Sequence, residues 1–520
     1  MRWLIGALIL AVTLCAGAGA IPFLERIDPP TPTPSATITA TPSPTFTITP
    51  TATITPTQTL TPSPTFTETY TPEPAAPTPD LALEISLGTT HAIDPHYFGF
   101  NLGASAIGGA YWDMTEFNDL AASLAPGTLR FPGGTVANDW DWINGWFFPG
   151  STPFGIPKNP PNGKTPLERF KQTIDASGAD PIFVLNMVTD TLDSQIAMLH
   201  HAQELGMPIR YIELGNEFFF SGDRIETLFP TGAEYGREAS RWIKTIHNEF
   251  PESRIAAIAA VVDDPSRPDR NSRWNIDLQT SLRRADAISM HIYFDFGLSD
   301  NDVLNYVSVA NMLSRPFRNR DELRAKYLPH LNANGSIWIT EYGMRDRRED
   351  IINTWAHGLY SAAQTLIFLE EPRIELIHNH ALVANPLTGA IIANKDGRTL
   401  NLSASGYALQ PIARVIRQSY TVSPLIFSPA PQTAWSKGKY PALIGYAFDT
   451  ANGLQVIVIN LSGVNYPINL SYLFPQGMLV EQINGDPTLI VDSPDAILRY
   501  QETLPPGQIN LPPYSISVIR

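Results

Sequence analysis

Ile212-Glu-Leu-Gly-Asn-Glu217 and Trp338-Ile-Thr-Glu-Tyr-Gly343 are two apolar runs that each end abruptly in a carboxylate. Runs of this length, rich in Ile, Leu and Trp, read as buried strands. A glutamate at the C-terminal tip of such a strand stands where parallel barrels collect their functional groups. Around these two runs the chain repeats one pattern. Strand-like stretches fall at 97–103, 128–131, 181–188, 209–217, 254–261, 287–293, 336–341 and 374–381. Helical, amphipathic sequence lies between them, for example at 191–205, 232–250 and 350–370. Eight strands alternating with helices predict an α/β fold, a closed (β/α)8 barrel over 91–418. The rival, an open doubly wound sheet, would want a Gly-rich phosphate turn early in the series, and the sequence has none.

Beyond residue 418 the helical period stops. Short alternating segments at 443–447, 454–460, 478–483 and 515–519, separated by Gly, Pro and Asn, predict an antiparallel β-sandwich over 419–520. A lone strand within 81–90 is expected to join that sandwich. Residues 1–20 read as a signal peptide: Arg2, an uncharged apolar run, then a small-residue close at Ala16–Ala18 or Ala18–Ala20. An uncleaved membrane anchor is the alternative, because the run is nearly long enough to span. Residues 21–80 are a Thr/Pro-rich, disordered linker in which Thr-Pro-Ser-Pro-Thr-Phe-Thr occurs at 41–47 and again at 61–67. Proline at this density favours an extended path of roughly 3 Å per residue, so the linker serves equally as a stalk or as a passive spacer. These segments make the chain a secreted or cell-surface protein, with a membrane or wall tether through the N-terminus as one outcome.

The chain has 520 residues and a formal net charge of −15, which argues against nucleic acid as a partner. Its single cysteine, Cys15, lies inside the leader, so a mature chain would depend on its core and not on disulfides. Aromatic residues make up 10% of the chain, enough for stacking on sugar rings, although core packing uses the same residues.

Strand alternation along 211–217 places Tyr211, Glu213, Gly215 and Glu217 on one face and Ile212 and Leu214 on the other. If the second face meets the helices, Glu217 opens at the rim while Glu213 is buried deeper. A buried carboxylate needs a cation, and Arg130, near the tip of the second strand, is the candidate. Asn216 can offer an amide to a substrate hydroxyl. His378, Asn379 and His380 end the eighth strand. They read as pocket wall, core or, as a His-x-His pair, zinc ligands; no third ligand lies nearby in sequence, so no metal and no cofactor are expected. Trp140, Trp142 and Trp146 follow the second strand and suit either ring stacking or loop packing. His200 and His201 read as plain helix surface.

Gly-Asn-Glu on the fourth strand and Trp-Ile-Thr-Glu on the seventh resemble the clan of retaining barrel glycosidases. Leu129-Arg-Phe-Pro-Gly-Gly134, then Asp139-Trp-Asp-Trp142, and Ser289-Met-His-Ile-Tyr293 resemble the α-L-arabinofuranosidases and their heparanase-like relatives. The resemblance covers residues 81–520. It implies Glu217 as general acid/base and Glu341 as nucleophile, with Tyr293 hydrogen-bonded to that nucleophile and His291 lining the sugar site. It further implies a carbohydrate substrate and chemistry that requires no metal; no cofactor and a monomeric chain are expected. The chain departs from the pattern at Thr135, usually Asn or Cys, at Asn101, usually a sugar-binding Glu, and at Tyr342-Gly343, usually Trp-Asn. Those positions border the innermost sugar, so its identity stays open. A catalytically silent carbohydrate-binding barrel and a transglycosylase are the alternatives to a hydrolase.

Overall fold

A computed structural model describes residues 81–103, 111–148, 164–220, 223–261, 270–295, 304–332, 335–345, 348, 351–383, 389–393 and 399–520. The leader and linker at 1–80 lie outside them. All described residues belong to one compact unit, Ala75–Arg520. None of the described helices is long and apolar enough to cross a membrane.

Eight parallel strands close a barrel in sequence order: β1 (Phe98–Asn101), β2 (Thr128–Phe131), β3 (Asp180–Val184), β4 (Tyr211–Glu213), β5 (Arg254–Ile258), β6 (Ala287–Asp295), β7 (Ser336–Arg345) and β8 (Ile374–His380). The main outer helices are α1 (Thr115–Ser123), α2 (Leu167–Ser177), α3 (Leu192–Glu204), α4 (Gly232–Glu249), α5 (Arg270–Ser281), α6 (Tyr306–Leu313), α7 (Trp355–Ile367) and α8 (Ala404–Ile416). Hydroxyl N-caps start several of them: Thr191 for α3, Thr231 for α4, Thr354 for α7 and Ser403 for α8.

The barrel interior is layered. Ile182, Tyr211, Ala256, Ala287, Trp338 and Leu376 fill its lower part, and the alanines leave room for the Tyr211 and Trp338 rings, which meet edge-on at 5.7 Å. Nearer the C-terminal ends of the strands the inward residues turn polar, and the functional cluster sits there.

The C-terminal part is an antiparallel sheet in the order Glu84–Leu87, β9 (Ser419–Ser428), β10 (Leu443–Thr450), β11 (Gly453–Asn460), β14 (Ser515–Ile519), β12 (Met478–Asn484) and β13 (Leu498–Leu504). The pair Tyr466–Asn469 and Gln508–Leu511 covers part of it. In β11, Val456 and Val458 enter the core between these sheets, whereas Ile457 and Ile459 join the core shared with the barrel helices. Burial on both faces explains why this strand is apolar almost throughout. Asn460, one of four Asn-x-Ser sites, is fully buried and donates to three backbone carbonyls, which closes it to a glycan.

Candidate active site

Arg130 is the hub of the site. It is fully buried on β2 and donates from Nε to Glu213 on β4 (2.5 Å) and from Nη2 to the Asn216 Oδ1 (2.8 Å). Its Nη1 donates to Asn101 Oδ1 on β1 (2.9 Å) and to Glu341 Oε1 on β7 (2.7 Å). One planar guanidinium thus ties four strands together, a geometry that a lysine cannot reproduce. Glu213 also accepts from the Thr340 hydroxyl at 2.9 Å.

Glu341 joins the cluster through a register shift. Met290 pairs with Ile339, but the next residue, His291, pairs with Glu341, so Thr340 is an extra residue in β7. Simple alternation from the inward Trp338 would send Glu341 outward. The bulge turns both Thr340 and Glu341 inward. Glu341 is buried, accepts from Arg130 and from the Tyr293 hydroxyl, and lies 3.6 Å from His291 Nδ1 and 3.4 Å from His380 Nδ1. Burial opposes its charge, but His291, His380, Arg130 and the Tyr293 bond together hold the carboxyl well below the usual range.

Glu217 arrives by another route. The fourth strand ends at Glu213, four residues earlier than the sequence pattern suggested, because Gly215 (φ 88°) and Glu217 (φ 51°) take left-handed backbone. The expectation that Gly215 and Glu217 continue the inward face by alternation is therefore corrected: a turn delivers Glu217. Its carboxyl group is hydrogen-bonded to His291 Nδ1 (2.9 Å) and receives a long contact from Thr135 Oγ1 (3.5 Å). Burial pulls the His291 pKa down, but the neighbouring Glu341 and Glu217 carboxylates outweigh it and raise the imidazole above its ordinary value.

Among the described residues, Glu217, His291 and Glu341 are the one trio whose donor atoms could hold a metal ion, all within 4.8 Å of one another. Each is already engaged by the others, by Arg130 or by Tyr293.

Other candidates fall elsewhere. Asn101 is fully buried, with Oδ1 on Arg130 and Nδ2 on His380 Nδ1 (2.7 Å), so both ends of its carboxamide are already engaged within the cluster. Trp140 and Trp146 are buried, and Trp140 meets Phe131 edge-on at 5.2 Å, the packing alternative for these rings. Trp142 leans on α3, its indole N–H donating to Ser194 (3.0 Å) and its ring 5.8 Å from His201. His380 remains part-exposed beside Glu341 and Tyr293. His378 bonds Thr128 Oγ1 at 2.9 Å inside the barrel, and burial pushes its imidazole down to about 3. The two histidines of His-x-His thus have separate partners. Sequence reading missed Asn138, whose carboxamide bonds the Asn216 backbone, since nothing local marks a loop residue that clamps another loop.

No protein-family model matches the chain, and no curated protein matches it in sequence. Solved structures do match. A thermostable GH51 α-L-arabinofuranosidase from Thermotoga petrophila aligns with a TM-score of 0.63 at 18% identity, over 84% of this chain and 99% of its own. A family 51 α-L-arabinofuranosidase from Bifidobacterium longum gives 0.66 at 16%, covering 85% and 99%. A 4-O-α-L-rhamnosyl-β-D-glucuronidase from Fusarium oxysporum gives 0.59 at 13%, covering 84% and 100%. At such identities the likeness is one of fold: a parallel barrel joined to an antiparallel C-terminal domain.

Proposed function

We propose that this chain is a retaining glycoside hydrolase acting on polysaccharide or glycoconjugate, exported and carried outside the cell on its Thr/Pro-rich segment. The observation that carries this reading is the spacing of the two carboxylates: an oxygen of Glu217 and one of Glu341 lie within 4.8 Å. Direct attack by one carboxylate suits a separation of about 5 Å, whereas a water-mediated, inverting displacement needs roughly 6.5–9.5 Å.

The surroundings match the two roles. Glu341, held ionised by Arg130 and Tyr293, attacks the anomeric carbon as the bond to the leaving oxygen breaks. Glu217 gives its proton to that oxygen, and a glycosyl ester of Glu341 forms. Water then attacks the same carbon, Glu217 takes the water's proton, and the Glu341 carboxylate is released. The contact to His291 can persist through this change of role: Nδ1–H donates to Glu217 Oε1 in both states, and the acid's proton is carried on Oε2. Asn216 Nδ2 is buried and has no partner among the described residues, while its Oδ1 is fixed on Arg130. A sugar hydroxyl beside the scissile bond would satisfy that donor.

The test is an aryl-glycoside panel (arabinofuranoside, xyloside, glucuronide, glucoside), with proton NMR of the first-formed anomer. The expected result is turnover with retained configuration, reduced at least about a thousandfold in Glu341→Ala. An inverted product, or an active Glu341→Ala, would refute the assignment.

A further inference from the structure

We infer that Asn138 is a positioning residue that holds the acid/base Glu217 in place, acting through the main chain of Asn216. The inference rests on the role proposed above for Glu217. After β4 the chain leaves the barrel ladder: Leu214 N–H still donates to Ala256 C=O at 3.0 Å, and Gly215 then turns left-handed. The Asn216 peptide groups are buried and have lost a strand partner.

Asn138 replaces that partner with its side chain. Its Oδ1 accepts from Asn216 N–H at 3.2 Å, and its Nδ2 donates to Asn216 C=O at 2.9 Å. The two bonds fix the peptide on either side of Asn216, and the second of these peptides carries the Glu217 nitrogen. Glu217 is thereby kept at φ 51°, a conformation that a non-glycine residue adopts only under constraint.

The clamp is itself anchored. Asn138 is 2% exposed, and its C=O accepts from Thr189 Oγ1 at 2.9 Å. Asn186 Nδ2 donates to the same Thr189 oxygen at 2.7 Å, and Asn186 N–H donates to Gln195 Oε1 on α3 at 2.9 Å. Asn138 shares the short turn Thr135–Asp139 with Thr135, whose hydroxyl approaches the Glu217 carboxylate. One turn after β2 therefore governs both the backbone and the side chain of the acid. An asparagine supplies donor and acceptor on one short planar group; aspartate lacks the donor and leucine lacks both.

The experiment compares the full chain with Asn138→Leu, which keeps volume without hydrogen bonds, and with Asn138→Ala. Glycosides with an unactivated alcohol leaving group need the proton from Glu217, and kcat on them is expected to fall about a hundredfold. Dinitrophenyl glycosides of the same sugar leave without a proton, and their rate for forming the glycosyl ester is expected to change by less than about threefold. The His291 titration, followed by NMR, is expected to move down toward the ordinary histidine value as the Glu217 contact loosens. An equal loss on both leaving groups with an unmoved His291 titration would overturn the proposal. Amide exchange at Asn216 in the wild type requires no variant to fold: strong protection is expected, and rapid exchange would sink the clamp. A wild type inactive on every glycoside defeats the hydrolase reading and leaves the exchange and titration measurements to judge Asn138 alone.

Discussion

Arg130 carries its charge where there is no solvent, so its stability depends on what surrounds it: two carboxylates and two carboxamide oxygens. Because a guanidinium only donates, Asn101 must turn its oxygen to Arg130 and its nitrogen to His380 Nδ1. The same cluster sets a pH dependence. Glu341 has a depressed folded pKa, so its contribution is complete above the unfolded value of about 4.3 and is lost as the pH falls below it. His291 has a raised folded pKa, so its contribution is complete below about 6.5 and is lost as the pH rises through the folded value. Glu341 is among the causes of the His291 shift, so removing it weakens both. The stability of the wild type relative to Glu341→Gln is expected to peak between roughly pH 4.3 and 6.5. Urea midpoints at pH 3, 5.5 and 9 check this; a difference that does not vary with pH would contradict the coupling.

At the scale of elements, two irregularities aim the carboxylates. In β7 the extra residue Thr340 rotates Glu341 into the barrel, and its hydroxyl is used on Glu213. After β4 the left-handed Gly215 begins the turn that ends at Glu217, and a Cβ at 215 would stand 2.1 Å from the Phe218 ring. Gly215→Ala is therefore expected to cost about 1–2 kcal/mol from backbone conformation alone, with the displaced ring adding to it. Because Glu217 lies two residues on, kcat should fall by more than the stability loss accounts for. Urea denaturation beside kcat measured well below the unfolding transition separates the two; a variant of wild-type activity would show that the turn is not needed.

Across the whole molecule, the C-terminal sheet completes the barrel. Every residue of α7 is buried, as is nearly all of α8, because the barrel covers one side of them and the sheet the other. The first turn of α7 finds its acceptors across this seam: Trp355 and Ala356 N–H donate to Leu489 and Pro487 C=O, both at 3.0 Å. The Trp355 indole donates to Tyr514 C=O at 2.7 Å, and Asn353 Nδ2 to Val491 C=O at 2.7 Å. A chain ended after residue 418 would leave those helix-end donors without partners and bare a large apolar face. It is expected to aggregate, and size-exclusion chromatography beside the full chain checks it; a soluble, folded monomer would contradict the seam's importance.

Strand and helix order, the barrel and its antiparallel companion were legible in the sequence, because apolar periodicity is local and survives without knowledge of neighbours. That Glu217, Glu341 and Arg130 would converge was legible for a related reason: charged residues at the ends of apolar runs have few places to go. Tyr293, which donates to Glu341, was pointed to by the family resemblance alone. The route by which each carboxylate arrives was not legible. A bulge at Thr340 and a left-handed turn at Gly215 depend on register between strands far apart in the chain, which no single segment encodes. The same holds for Asn101, Trp140 and Asn138. Their residue types permit pocket, core or clamp, and only the packing of other loops against them selected one. Apolar periodicity thus determined the architecture, and residue type the chemical groups on offer, whereas tertiary contact decided which of those groups meet and which hold the others still.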